Sequence, residues 1–178
     1  AHQLENATAA VAVAETLRER WLAVDEMAIR QGLREARWPG RLQVVRRQPL
    51  LVVDGAHNAD SFARLFAALR RHFAFERLFL VLGVMADKDV AGIAAEIVHT
   101  GAHRVIVTGA AHPRAAAPDA LAALFAKAGQ REVAICQDVA AALGLALGEA
   151  GARDLICVAG SLYLAGEALR WAEKEQAN

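Results

Sequence analysis

Apolar residues along this chain follow two alternating rhythms. Short unbroken runs, such as Leu50-Leu51-Val52-Val53, Leu78-Phe79-Leu80-Val81-Leu82 and Val105-Ile106-Val107, are separated by longer segments in which apolar positions recur every three or four residues. The runs predict strands over 41–46, 50–54, 78–82, 104–108, 132–136 and 155–158, and the periodic segments predict helices over 58–73, 89–100, 118–128, 138–150 and 162–175. Strands that are apolar on both sides of the pleat belong in a sheet covered on both faces. Connections of helical length suit parallel crossovers. The predicted class is therefore α/β: a doubly wound, mostly parallel six-stranded sheet with helices on both faces. The first strand is more polar and joins the second through only Arg47-Gln48-Pro49, so it is predicted as an antiparallel edge.

Two helices precede this pattern. The first is predicted over 1–21 as an amphipathic helix using Leu4, Val11, Leu17 and Trp21; the second runs over 25–36 with Asp25 as its N-cap. Arg37-Trp38-Pro39-Gly40 ends it, because Pro39 disfavours helix at Trp38 and Gly40 permits a turn. A domain boundary is expected there, with 1–37 on one side and 38–178 on the other. The chain opens on a helical pattern without Met, which suggests a piece of a longer protein.

Composition narrows the function classes. Of 178 residues, 56% are apolar, but 42 are alanine, so much of that surface is small and suits close helix packing. Twenty basic residues balance twenty acidic ones. That balance gives no long-range attraction to nucleic acid or an anionic membrane, and neither partner is expected. No run of about 18 uncharged apolar residues is present. Cys136 and Cys157, without metal-ligand spacing, read as small buried hydrophobes in a reducing, cytoplasmic compartment.

Candidate chemistry concentrates where the strands end. Ligands of open α/β sheets bind outside the carboxyl ends of the strands, and here those ends carry Asp54-Gly55-Ala56-His57-Asn58, Gly83 to Asp89, Thr108 to Arg114 and Gly160-Ser161. Asp54 offers acceptors for a ribose hydroxyl, or alternatively serves as a turn residue. His57 begins a helix that Asn58 is placed to cap. Lys88, between Asp87 and Asp89, and Arg114 offer cations for a carboxylate or phosphate; alone, each reads equally as a solvated surface charge. Ser161 precedes the last helix and is either a ligand contact or its cap. There is no GxGxxG, no GxxxxGK[ST] and no GxSxG in the chain. A triphosphate, if used, must be held by another domain. His99 and His103 are separated by the helix-breaking Thr100-Gly101, so no metal site is expected there.

Taken together, His2-Gln3-Leu4-Glu5-Asn6-Ala7, Trp38-Pro39-Gly40-Arg41-Leu42, Asp54-Gly55-Ala56-His57-Asn58, Asp87-Lys88-Asp89 and Gly160-Ser161-Leu162-Tyr163-Leu164 resemble, in order, the C-terminal half of folylpolyglutamate synthase. That family is often bifunctional as dihydrofolate synthase and belongs to the Mur ligase superfamily. The resemblance implies a Rossmann-like C-terminal domain over 38–178, preceded by the trailing helices of a central domain over 1–37. It implies an ATP-dependent ligase that passes the γ-phosphoryl of ATP to a folate carboxylate and then lets the amino group of L-glutamate displace it. Asn6, Arg41 and Asp54 would serve ATP. His57, Ser161, Lys88 and Arg114 would serve glutamate. Trp38 would pack the hinge, and Tyr163 would be a core residue of the last helix. The P-loop, the Mg2+ ligands and most of the pocket for reduced folate or dihydropteroate would belong to an N-terminal ATPase region, so this chain alone would be inactive. Two other readings stand beside it: another Mur-superfamily peptide ligase, of cell-wall precursor or cyanophycin type, and a non-catalytic nucleotide- or metabolite-binding module.

Overall fold

Alternate residues of each central strand enter different cores, and this division organises the larger part of the molecule. The computed structural model describes residues 2–20 and 23–177. The chain forms two compact units, Ala1–Pro39 and Gly40–Asn178.

The first unit holds α1 (His2–Arg20) and α2 (Glu26–Glu35). The Asp25 carboxylate accepts the Ala28 amide and so caps α2 as predicted. Ala1 and Trp21, placed at the ends of the first helix by its pattern, lie outside the described residues. Among the described side chains of α1, a narrow stripe (Ala7, Val11, Ala14 and Leu17) is half-buried, while Leu4 is exposed. The helix is thus less amphipathic than expected, because small alanines occupy every face. No described residue of α2 is buried, and Met27 and Leu33 are exposed. Trp38, expected to pack a hinge, is 74% exposed.

The second unit is a six-stranded sheet with β1 (Gln43–Arg47), β2 (Leu50–Val53), β3 (Leu78–Leu82), β4 (Arg104–Val107), β5 (Val133–Ile135) and β6 (Leu155–Ala159). Their spatial order is β1-β2-β6-β3-β4-β5. β1 pairs antiparallel with β2, and every other pairing is parallel. α3 (Ala59–His72), α4 (Val90–Thr100) and α5 (Pro118–Lys127) follow β2, β3 and β4, while α6 (Val139–Glu149) and α7 (Leu162–Ala177) follow β5 and β6. One core joins Phe62, Phe66, Ile93, Ile97, Leu121 and Phe125 of α3–α5 to Val52, Leu80, Val105 and Cys157. The other joins Val139, Leu143, Leu164 and Ala168 of α6–α7 to Leu51, Val81, Ile106 and Ile156. Right-handed crossovers require this split: the chain steps outward from β3 to β5 with helices on one face, then returns to β6 with α6 on the other. Each fully buried large side chain, such as Phe62 or Phe125, stabilises the fold by about 1.5–3 kcal/mol.

Helix starts were legible residue by residue. Asn58, Asp89 and Asp138 accept the amides of Ser61, Gly92 and Ala141 at the N-termini of α3, α4 and α6. The predicted strand over 132–136 is shorter, because β5 lies at the sheet edge with a single neighbour. Cys136 follows its end half-buried, whereas Cys157 is buried inside β6. Burial pushes both thiols above their ordinary value.

Candidate functional site

The return of the chain to β6, between β2 and β3, brings three loop starts together at the carboxyl edge of the sheet. The Gly160 amide donates to the Ala56 carbonyl at 2.7 Å, and the Gly83 amide donates to the Ala159 carbonyl at 3.3 Å. Gly160 has φ +123°, and a Cβ there would lie 2.6 Å from the Gly83 carbonyl oxygen. This position tolerates only glycine, both for its dihedral and for the approach of the neighbouring backbone.

On the β2 side, Asp54 is half-buried and both of its carboxylate oxygens are engaged. Oδ1 accepts the Ala56 amide at 2.8 Å, and Oδ2 accepts the Leu42 amide at 2.8 Å. The second bond crosses from the end of β2 to the turn that starts β1. In that turn the Gln43 Oε1 accepts the Gly40 amide at 2.8 Å, and Leu42 has φ +45°, the one positive φ of a non-glycine residue among the described residues. Arg41 stands between these two braces. It is exposed, and its guanidinium has no partner among the described residues.

His57 is half-buried beside this turn of chain. Its Nδ1 donates to the Gly55 carbonyl at 2.9 Å, which fixes the ring and leaves Nε2 as the ring nitrogen not engaged by that bond. Its backbone is fixed as well, because the His57 and Asn58 amides both donate to Ser61 Oγ. Ser161 is 3% exposed, and its Oγ accepts the Leu164 amide at 3.1 Å. That oxygen therefore caps α7.

The loops after β3 and β4 form a second group. The Ala86 amide donates to the Arg114 carbonyl and the Ala116 amide to the Val84 carbonyl, lacing the two loops together. Lys88 Nζ lies 3.3 Å from Asp87 Oδ2. The Lys88 hydrogen bond, helped by the charge of Arg114, holds the Asp87 carboxyl below its ordinary value. Lys88 is thus paired with Asp87 on the loop after β3, and Arg114 lies on the loop after β4 that is laced to it. Asn6 lies exposed on α1 in the first unit.

Spacing gave no sign of three further contacts. Glu167 Oε1 accepts the Ala111 amide at 2.7 Å, and the His112 ring stacks on Tyr163 with centroids 4.1 Å apart. Tyr163 and Glu167 are four residues apart on α7, so one helix face holds Ala111 and His112 of the loop after β4. Tyr163, expected in the core, is instead 48% exposed. The third contact is the Leu42–Asp54 bond itself. Thr108 Oγ1, at the end of β4, is buried without a hydrogen-bond partner among the described residues. No group of three His, Cys, Asp or Glu residues suited to a metal was found among the described residues. No helix among them is long and apolar enough to cross a membrane. A cavity of about 370 Å3, lined by Phe66, Arg70, Phe75, Arg77 and His103, lies at the opposite, amino edge of the sheet.

Comparison with known proteins agrees with this architecture. Residues 40–162 match the model of the family described as "Mur ligase, glutamate ligase domain". A "probable bifunctional folylpolyglutamate synthase/dihydropteroate synthase" from Halobacterium salinarum is 41% identical over 96% of this chain, which spans 20% of that protein. A structure of Escherichia coli FolC in complex with DHPP and ADP superimposes with a TM-score of 0.80 at 28% identity, over 96% of this chain and 39% of that one. A bifunctional folylpolyglutamate synthase/dihydrofolate synthase with Mn, AMPPNP and L-glutamate bound gives a TM-score of 0.72 at 29% identity, over 86% of this chain and 36% of its own. The chain thus spans less than half the length of each. With most of its residues inside the family match, it belongs to the Mur ligase family, and residues 40–162 form the family's glutamate ligase domain.

Proposed function

We propose that this chain is the carboxyl-terminal part of an ATP-dependent ligase that adds L-glutamate to a folate, a tetrahydrofolylpolyglutamate synthase. Residues 1–37 are then the trailing helices of its central domain, and residues 38–178 its C-terminal domain. The observation that carries this reading is the Arg41 guanidinium. It is exposed, unpartnered among the described residues and mounted on a turn braced from both sides at the ligand edge of the sheet. A cation held ready in this way suits the oxygens of a phosphoryl group in transfer. The bound ADP, AMPPNP and L-glutamate named for the similar structures support it.

The chemistry follows from these groups. The γ-phosphoryl of ATP passes to a carboxylate of the folate, giving an acyl phosphate. The nitrogen of glutamate then attacks the carbonyl carbon, an amide forms, and the bond to phosphate breaks with loss of the amine proton. Contacts with ATP are assigned to Arg41 and Asp54 of the second unit and, from the family resemblance, to Asn6 of the first. On the glutamate side, the fixed His57 Nε2 accepts a hydrogen bond from the incoming nitrogen. Lys88 and Arg114 pair with the glutamate carboxylates, and Ser161 sets the start of α7 beside them. Mg2+ would neutralise the phosphates, with its ligands supplied upstream of this chain together with the P-loop. Reduced folate or dihydropteroate is the acceptor, and the enzyme works in the cytoplasm.

The test is glutamate-dependent ADP release by the full-length polypeptide. A reduced folate or dihydropteroate should support it, and a muramyl peptide precursor should not. Release with the muramyl substrate alone would overturn the folate assignment. The 178-residue chain by itself should release no ADP.

A further inference from the structure

The cavity at the amino edge of the sheet takes no part in the proposed ligase chemistry. It lies where α3 hands the chain to β3 and α4 hands it to β4. Its volume of about 370 Å3 falls in the range of about 300–1,000 Å3 that small-molecule sites occupy. The floor is apolar: Phe66, Leu69 and Leu78 are buried in the core beneath α3–α5, and Phe75 is half-buried against it. Charged groups stand around this floor, and most are already matched. Arg77 pairs with Asp154, and Glu76, the carboxylate among the lining residues, pairs with Arg153. The His103 ring packs edge-on against Phe79 at 5.2 Å between centroids, on the ring that the Arg77 guanidinium also overlies. Arg70 differs. Its Nη2 donates to the carbonyl of Thr100, the last residue of α4, which ties this side chain of α3 across to the neighbouring helix. No carboxylate pairs with it among the described residues, and that one bond leaves most of its five N–H donors unused. The surplus charge over the apolar floor is therefore positive.

We infer that this cavity is a binding site for a small aromatic carboxylate, with its ring on Phe66, Leu69, Phe75 and Leu78 and its carboxylate on Arg70. Burial of the ring supplies affinity in proportion to the apolar area removed from water. The guanidinium matches a carboxylate through paired N–H···O bonds, which a neutral ring does not offer and a bare anion offers without the apolar contact. The assignment rests on the second unit alone, so it stands whichever amide bond the ligase makes.

The test titrates the deuterated full-length polypeptide with 2-naphthoate and follows its backbone amide resonances by NMR. Naphthalene-2-carboxamide serves as the neutral counterpart, and acetate as the anion without a ring. With 2-naphthoate, the amides of residues 75–78 and 100–103 should shift together and saturate, with a midpoint at about 1 mM or below. The carboxamide should bind there at least about fivefold more weakly, and acetate should leave these amides unmoved at the same concentration. Arg70→Gln should abolish the advantage of the acid over the amide without changing amide binding. Arg70 is exposed, so this substitution spares the core. Phe75→Ala should weaken acid and amide alike. Shifts that grow without saturating, or that leave 75–78 and 100–103 untouched, would overturn the site. Equal midpoints for acid and amide, or an advantage that survives Arg70→Gln, would overturn the pairing of Arg70 with a carboxylate.

Discussion

Gly160 and Gly83 meet backbone to backbone at the ends of the two central strands β6 and β3. A Cβ on Gly160 would sit 2.6 Å from the carbonyl oxygen of Gly83 and 2.9 Å from its carbonyl carbon. The obstacle is main chain, which has no rotamer to move aside, and φ +123° is itself unfavourable for an L side chain. Gly160→Ala should therefore cost about 3 kcal/mol or more, read as a lower midpoint in urea unfolding. A wild-type midpoint would show that the strand ends can separate without loss.

One residue further on, Ser161 tests whether a buried hydroxyl is a helix cap. Ser161→Ala should lower stability by about 1 kcal/mol, whereas Ser161→Gly should cost only a few tenths, as N-caps do. Equal losses in the two variants would argue against capping.

At the opposite edge of the sheet, Asp154 is 3% exposed and anchors the residue before β3 to the residue before β6. It accepts the Arg77 guanidinium, the Arg77 amide and the Gly151 amide. The Arg77 hydrogen bonds hold its carboxyl below the ordinary 3.8. A depressed folded value means that the unfolded chain takes up the proton first as pH falls. The stability from this carboxylate is therefore whole above pH 3.8 and is lost as the pH drops through the lower, folded value. Asp154→Asn should cost about 3 kcal/mol at neutral pH and flatten the acid limb of a stability–pH curve. An unchanged acid limb would assign that limb to other carboxylates.

The two thiols should behave differently. Cys157 is fully buried in the middle of the sheet, and its thiol is pushed far up by desolvation, with the charge of Asp54 adding to it. Cys136 is half-buried at the edge. A disulfide reagent at pH 8 should label Cys136 slowly in the native chain and Cys157 only when the chain unfolds. Rapid labelling of both would contradict the packing of β6.

Most of the fold was readable because its signals are local. Apolar runs of four or five residues marked β2, β3, β4 and β6, and Asp25, Asn58, Asp89 and Asp138 each announced a helix start through a side chain that reaches only three residues ahead. Even the antiparallel edge was visible, in the polarity of β1 and its short link to β2. Errors fell where small residues blur a pattern or a neighbour is missing: the alanine-rich α1, the half-buried Cys136 beyond the edge strand β5, the exposed Trp38 and Tyr163.

What the sequence by itself determined, then, is the list of elements and the edge of the sheet at which the polar loops gather, because periodicity and capping are set by nearest neighbours along the chain. Tertiary structure alone decided which of those polar groups are occupied. Asp54 and Leu42 are 12 residues apart, Ala111 and Glu167 are 56 apart, and Arg77 and Asp154 are 77 apart. Such partners are chosen by the strand order β1-β2-β6-β3-β4-β5, which places distant loops side by side. The order follows from how helices can cover both faces of a twisted sheet, a property of the whole chain that no local window contains.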